Sequence, residues 1–387
     1  MKLKQICEYV SERVSIETLS KVNYISTENM HPYRRGVTCS SGLPISGSAI
    51  KYSENDILIS NIRPYFKKIW QAKNDGGCSA DVLCIRAKEN TDSKFLYYLL
   101  SQDAFFEYVM TGAKGCKMPR GDKEHIMEWN IEITNDILEQ KAIGKFFRSL
   151  DQKIELNCQI NDNLEQQAQA LYKSWFVDFE PFKDGNFVES ELGLIPEGWE
   201  VRDIYKYSDV IYGAPYKSSL FNENKEGYPL IRIRDLKSFA PQFYTQEILP
   251  QTEYIIAGDV VAGMDAEFTP YIWQGEKGVL NQRCCKFKGQ YPWVSNYYLL
   301  NLLKPELEYV QIYKTGTTVS HLGKADIDRF NVITPPESIV KAFSVIVNSL
   351  LEQKVKCANE IRSLSNTRDI LLPKLMSGEI KINEIDC

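Results

Sequence analysis

Apolar residues recur at gaps of three and four along residues 136–176: Ile143, Phe147, Leu150, Ile154, Leu164, Ala168, Leu171 and Trp175. That spacing lays them on one stripe of a helix and predicts a coiled-coil seam. Asn157 and Asn161 fill the seam positions where the stripe is interrupted. The pattern then returns. Phe343 stands 200 residues after Ile143, and Val347, Leu350, Ile361, Leu364, Leu371 and Leu375 follow in the same register. Two helices of about 40 residues, each about 60 Å long, are therefore predicted. A helix with one narrow apolar stripe is seldom stable alone, so the two are expected to pair. Antiparallel pairing would put Asn157 near Ile361 and Asn161 near Cys357.

The sequence ahead of each helix has a different rhythm. Short apolar runs broken by turns predict strands at 56–60, 69–70 and 81–86, and a strand entering a polar loop across 21–30. Residues 93–109 have helical spacing, and 111–121 form a loop rich in Gly and Lys. Residues 55–70 match 258–273, Thr111-Gly112 return as Thr315-Gly316, and Asp122 returns as Asp326. A helix and its preceding segment, both repeated, indicate an internal duplication. The predicted organisation is a first module (1–135), a long helix (136–180), a linker, entry segment and second module (181–335), and a second long helix with a tail (336–387). The fold class is α+β. Two similar mixed α/β domains are separated by two long antiparallel helices, with pseudo-two-fold symmetry.

Composition narrows the chemistry. The 387 residues carry a net charge of −5, so no global basic character marks a protein that coats nucleic acid. Ten cysteines and three histidines are scattered without a CxxC pair, which predicts reduced thiols, a cytoplasmic setting and no metal site. No apolar run is long enough to span a bilayer, and the start has no signal-peptide pattern. No GxGxxG, GxSxG or HExxH motif occurs. Gly316 and Gly323-Lys324 are spaced wrongly for a phosphate loop, and no Ser or Thr follows the lysine.

What remains is clusters of basic and polar residues in the repeated loops. In the first module these are Arg34, Arg35, Arg63, Lys67, Lys68, Lys114, Lys117 and Arg120. In the second they are Tyr216, Lys217, Arg232, Arg234, Thr317, Thr318 and His321. Arginine can read guanine through two hydrogen bonds in the major groove, whereas lysine usually grips phosphate. Arg232 and Arg234 alternate along a strand-like stretch, which predicts a place at or near a DNA face. Structural ion pairs within the module are the alternative.

Five short motifs carry a family resemblance. They are residues 23–30 (Asn-Tyr-Ile-Ser-Thr-Glu-Asn-Met), 171–179 (Leu-Tyr-Lys-Ser-Trp-Phe-Val-Asp-Phe), 195–199 (Ile-Pro-Glu-Gly-Trp), 229–236 (Pro-Leu-Ile-Arg-Ile-Arg-Asp-Leu) and 371–380 (Leu-Leu-Pro-Lys-Leu-Met-Ser-Gly-Glu-Ile). Their order, with the duplication, resembles the specificity (S) subunit of type I restriction-modification systems over essentially the whole chain. The first module departs by lacking the Ile-Pro-x-Gly-Trp entry segment. The resemblance implies two target-recognition domains, each reading half of a split site in double-stranded DNA. It implies methyltransferase subunits, two of them, and restriction-translocation subunits as partners. This chain would be non-catalytic and bind no cofactor. Adenine methylation or cleavage, with S-adenosylmethionine, ATP and Mg, would belong to the partners. Three other readings stay open: the specificity subunit of a type II-like enzyme, a stand-alone DNA methyltransferase or nuclease, and a scaffold that does not touch DNA.

Overall fold

The computed structural model describes residues 1–314 and 320–384. Its two longest elements are a central helix, Ile137–Phe176, and a C-terminal helix, Glu337–Ser377. Asp136 starts the first, its carboxylate accepting from the Leu138 amide at 2.8 Å, which satisfies a donor that the first turn leaves open. The second follows Pro335 and Pro336, residues that a helix accommodates best at its beginning. It ends at Gly378, whose φ of 73° is the left-handed conformation glycine takes most readily.

The chain divides into two compact units. Unit 1 holds Met1–Lys153 and the described residues from Leu364 on, and unit 2 holds Ile154–Ser363. Each long helix contributes a segment to each unit.

In unit 1 a four-stranded antiparallel sheet runs in the order Cys7–Tyr9, Val82–Ala87, Ile57–Ser60, Ile69–Gln71. Side chains alternate across it. Ile57, Ile59, Leu83 and Ile85 face a helical layer, while Leu58, Val82 and Cys84 face a second sheet. Burial on both faces is why these strands read as unbroken apolar runs. The second sheet has the order Arg13–Ser15, Ser48–Tyr52, Gly76–Cys78, Tyr24–Ile25, with the last pair parallel. Of residues 21–30, expected as a strand entering a polar loop, Tyr24 and Ile25 pair in this sheet, and Met30 makes an isolated bridge to Val37. Asn29 folds the chain back, its carboxamide accepting from the Ser26 amide at 2.6 Å and donating to the Tyr24 carbonyl at 3.1 Å.

The helical layer also departs from expectation. Residues 93–109 form two helices, Ser93–Ser101 and Asp103–Thr111, because Gln102 is extended. The break re-aims the second helix so that adjacent Phe105 and Phe106 are both buried. Phe95, Leu99, Phe105 and Phe106 share one core with Ile143 and Phe147 of the central helix and Leu372, Leu375 and Met376 of the C-terminal helix. Full burial of a side chain such as Phe147 contributes about 2–3 kcal/mol.

Unit 2 repeats this plan. Its first sheet has the order Ser208–Tyr212, Cys284–Gly289, Val260–Gly263, Pro270–Ile272. Its second has Tyr244–Thr245, Tyr228–Ile231, Gly278–Leu280, Tyr254–Ile255, again with one parallel pair, Tyr228–Ile231 with Gly278–Leu280. Cys7–Tyr9 therefore occupies the place of Ser208–Tyr212. A glycine stands at the same point of each parallel pair. A β-carbon on Gly76 would lie 2.2 Å from the Asn23 carbonyl oxygen, and one on Gly278 would lie 2.5 Å from that of Pro229. Asn23 thus corresponds to Pro229, and residues 23–30 to 229–236. Asp235 takes the part of Asn29, accepting from the Arg232 amide at 3.1 Å. Two motifs that looked independent in sequence are copies of one turn.

Within each unit the long-helix segments pair antiparallel. In unit 1 Arg368 donates to Asp151 at 2.9 Å, and Asp151 also accepts from the Tyr98 hydroxyl at 2.7 Å. In unit 2 Lys354 donates to Glu165 at 2.7 Å, and Asn157 donates to Glu360 at 3.0 Å, one residue from the expected neighbour Ile361. Asn161 donates to Gln274 at 3.2 Å, tying the helix to the second module. Among the seam residues Ile143, Phe147, Leu164, Phe343 and Val347 are buried, while Leu150, Ile154, Leu171, Leu350, Ile361, Leu364 and Leu371 are half-buried. Leu375 of the seam is buried too, and Val340, Leu372 and Met376 widen the buried stripe where the helix also meets a module core.

Candidate nucleic-acid interface

Three segments of unit 1 are stitched into one exposed corner. The loop 111–121 closes on itself through reciprocal amide–carbonyl bonds between Lys114 and Arg120, both 2.9 Å. It docks on the turn after Ile57–Ser60. The Gly121 amide donates to the Asn61 carbonyl at 3.2 Å, and the Arg63 amide to the Pro119 carbonyl at 2.8 Å. The loop around Arg34 joins from the other side, with the Tyr33 amide on the Phe66 carbonyl at 2.8 Å and the Arg34 amide on that of Lys67 at 3.1 Å. Arg34, Arg35, Arg63, Lys67, Lys68, Lys114, Lys117 and Arg120 are thus brought together.

Carboxylates sort these cations. Arg34 and Lys67 both grip Asp103, the latter at 2.8 Å. Burial acts to raise the Asp103 pKa, but the hydrogen bonds from Lys67 and Arg34 outweigh it and hold the carboxyl below its ordinary value. Lys114 pairs with Asp122 at 2.6 Å and Arg120 with Asp81 at 3.0 Å. Half-buried Lys68 donates to the Thr27 carbonyl at 2.6 Å. Burial, then the nearby Arg63 charge, lowers its pKa. Arg35, Arg63 and Lys117 are exposed and carry no ion pair among the described residues. They are the exposed cations of this corner that no carboxylate of the described residues engages.

Unit 2 has a matching corner built on the same backbone bonds. Leu322 donates to the Met264 carbonyl at 2.7 Å as Gly121 does to Asn61, and Ala266 donates to Ser320 at 3.0 Å as Arg63 does to Pro119. The Met264 amide meets the Arg283 carbonyl at 2.9 Å, as Asn61 meets Asp81 at 2.8 Å. Asp265 bridges to His321 as Ile62 bridges to Arg120. Lys314 pairs with Asp326 at 2.6 Å, but Asp326 lies in the first turn of the helix that Gly323 caps, whereas Asp122 is itself the cap of the equivalent helix, so the expected correspondence of Asp122 with Asp326 does not hold. Burial works to raise the Asp326 pKa, but hydrogen bonds from Lys314 and the Gly323 amide hold it below the usual value. The side chains at the corner differ between units: Asp265 forms an ion pair with Arg283 at 3.3 Å and lies 2.6 Å from His321.

Comparison with known proteins agrees with this duplication. The type I restriction modification DNA specificity domain matches the chain twice, over residues 1–166 and 196–361. The chain belongs to this family. A type I restriction enzyme MjaIX specificity subunit from Methanocaldococcus jannaschii is 27% identical over 323 residues, covering 77% of this chain and 71% of that protein. The HindI specificity subunit from Haemophilus influenzae is 25% identical over 465 residues, covering 98% of each. The crystal structure of the type I restriction-modification S subunit from M. genitalium shares the fold, with a TM-score of 0.53 at 15% identity over 97% of this chain and 95% of that one.

Several predicted contact residues of this specificity subunit have other duties. Tyr216 is core, 5% exposed, and its hydroxyl donates to Thr252 at 2.9 Å. Arg232 and Arg234 are not on a strand, since pairing stops at Ile231 and a single helical turn, Ile233–Asp235, follows. Arg232 bonds buried Asp235 at 3.2 Å, and its guanidinium lies 4.3 Å from the Phe243 ring centre. That is the structural ion pair set out above as the alternative. Arg234 and Lys217 are exposed. Thr317 and Thr318 lie outside the described residues. Asp81, Asp265 and Arg283 were missed. A search for basic residues in loops passes over the two carboxylates, and Arg283 stands just before a strand, outside the loops whose repetition the sequence shows.

Among the described residues no group of His, Cys, Asp and Glu is arranged to hold a metal. None of their helices is long and apolar enough to cross a membrane.

Proposed function

We propose that this chain, a DNA-recognition subunit of a type I restriction-modification system, reads a split site, one half with each module. Type I specificity subunits work in complexes with other subunits, and here the partners would be two methyltransferase subunits with restriction-translocation subunits. The observation that carries this is the repeated corner: one set of backbone bonds, made twice, presents two different sets of exposed charged side chains. Two readers on a common scaffold suit a site whose halves differ. Phosphate contacts from Arg35, Arg63, Lys117, Lys217 and Arg234 would set position on the duplex, leaving specificity to other groups.

The chemistry would lie with the partners. S-adenosylmethionine, ATP and Mg would bind there, and the target adenine would be flipped into the methyltransferase. This chain would hold the duplex and choose the sequence. The test is methylation mapping in cells with and without the gene. A bipartite adenine-methylated motif that vanishes with the gene is expected, and a methylome unchanged by its removal would refute the reading. Purified chain without partners should neither methylate nor cleave DNA. Activity from it alone would favour a stand-alone enzyme.

A further inference from the structure

Four positions at each corner superpose by backbone bonding yet carry unlike side chains. Ile62, Arg63, Asp81 and Arg120 in unit 1 correspond to Asp265, Ala266, Arg283 and His321 in unit 2. The scaffold is kept down to a strained detail. Arg63 and Ala266 are both left-handed, at φ 50° and 62°, without being glycine. Such residues cost free energy and persist where the surroundings hold them. Backbone retained at a cost, with side chains free to differ, is what a reader needs when two copies recognise different sequences.

The charges obey a further rule. Among these four equivalent positions, each corner sets one arginine against one carboxylate, but from opposite places. In unit 1 the arginine is Arg120 on the loop, and the acid is Asp81 before the strand. In unit 2 the arginine is Arg283 before the strand, and the acid is Asp265 on the turn, which His321 also contacts. Both arginine side chains remain more than half exposed, at 57% and 56%. Exposed ion pairs contribute little to stability, so folding alone does not account for them. A carboxylate beside one nitrogen of a guanidinium biases its orientation and leaves the remaining donors free. A planar fork with two parallel donors fits the O6 and N7 acceptors of guanine in a major groove.

We propose that Arg120 and Arg283 are the guanine-reading residues of the first and second module, with Asp81 and Asp265 as their positioning residues. This rests on the DNA-reading function proposed above. The exchange of arginine and acid between equivalent corners moves the guanine contact to a different place in each half-site.

The experiment uses the full chain assembled with its methyltransferase partner, and methylation of a library of sites as the readout. Arg120→Ala should relax the choice of one G·C pair in one half of the motif by about 5- to 150-fold. Arg283→Ala should do the same in the other half only. Arg283→Lys keeps the charge but not the fork, so it should lose discrimination while keeping the salt dependence of binding. Both arginines are exposed, so thermal unfolding of the variants should match the parent. Full discrimination retained in both alanine variants, or weakened binding of all sites alike with a smaller salt slope, would assign these arginines to phosphate and overturn the inference. The function proposed above would stand in that case. Failure of the unaltered chain to impose any motif on its partner would overturn both.

Discussion

Lys354 and Glu165 form an ion pair across the two long helices in unit 2, Nζ to Oε2 at 2.7 Å, with the lysine side chain only 7% exposed. Removing one partner of a buried pair leaves the other charge without compensation, whereas removing both can be nearly neutral. Lys354→Ala should therefore destabilise the protein by about 3 kcal/mol. The double variant Lys354→Met with Glu165→Leu should recover most of that. Denaturant unfolding of the two single variants and the double variant measures the coupling directly. A Lys354→Ala protein as stable as the parent would show that the pair does not hold the helices.

Arg232 and Arg234 are expected to part company. Arg232→Ala leaves buried Asp235 without its partner and should cost about 1–3 kcal/mol of stability, with the DNA motif unchanged. Arg234→Ala should leave stability within about 0.5 kcal/mol while weakening DNA binding and reducing its salt slope by about one. Unfolding curves paired with salt-titrated binding separate the two effects.

Acid should reveal the Asp103 clamp. Its carboxyl has a folded pKa below its unfolded value, because Lys67 and Arg34 outweigh burial. The clamp's contribution is thus complete above the unfolded value near pH 4 and is lost as pH falls through the lower folded value. Stability of Asp103→Asn measured from pH 6 downward should lack that last increment of acid sensitivity. Identical slopes in parent and variant would argue against a perturbed Asp103.

The helix pair offers a geometric test. Inserting four residues beside Cys158 and four beside Asn359 lengthens both helices by about 6 Å. If the paired helices set the distance between half-sites, the unread gap should grow by about one to two base pairs, at 3.4 Å each. Each half-site should keep its sequence. Methylation mapping of an active complex with an unchanged gap would show that the ruler lies elsewhere.

Much of this architecture was legible before any coordinates. Gaps of three and four announce a helix whatever surrounds it, so the two long helices and their register followed from Ile143, Phe147, Phe343 and Val347. The 55–70 and 258–273 repeat was equally plain, because Ile-Trp is kept and the triplet Ile57-Leu58-Ile59 stays apolar as Val260-Val261-Ala262. The turn at Asn29 and Asp235 was harder. Its two copies share a hydrogen bond rather than a residue, and their offset of 206 differs from that of the helices. The interface was the least legible part. Charge sign alone grouped Lys68 and Arg232 with Arg63, yet partners decide the role of each. Thr27 holds the first, Asp235 and Phe243 hold the second, and Arg63 is left to solvent. Tyr216 failed for a related reason, since a tyrosine beside a lysine looks like a surface pair until Thr252 claims its hydroxyl.

The discontinuity of unit 1 governs the order in which the protein can be made. Leu372, Leu375 and Met376 belong to the same core as Leu3, Ile6, Phe95 and Phe147, but the whole of residues 154–363 is synthesised between them. At ordinary translation rates that interval is about 10–40 s. Throughout it the apolar stripe at Ile143 and Phe147 waits on the ribosome without its last partner. Unit 2 is contiguous and has no such delay. The part of the chain translated first is therefore the part finished last, and the nascent first module is where a chaperone would have most to cover.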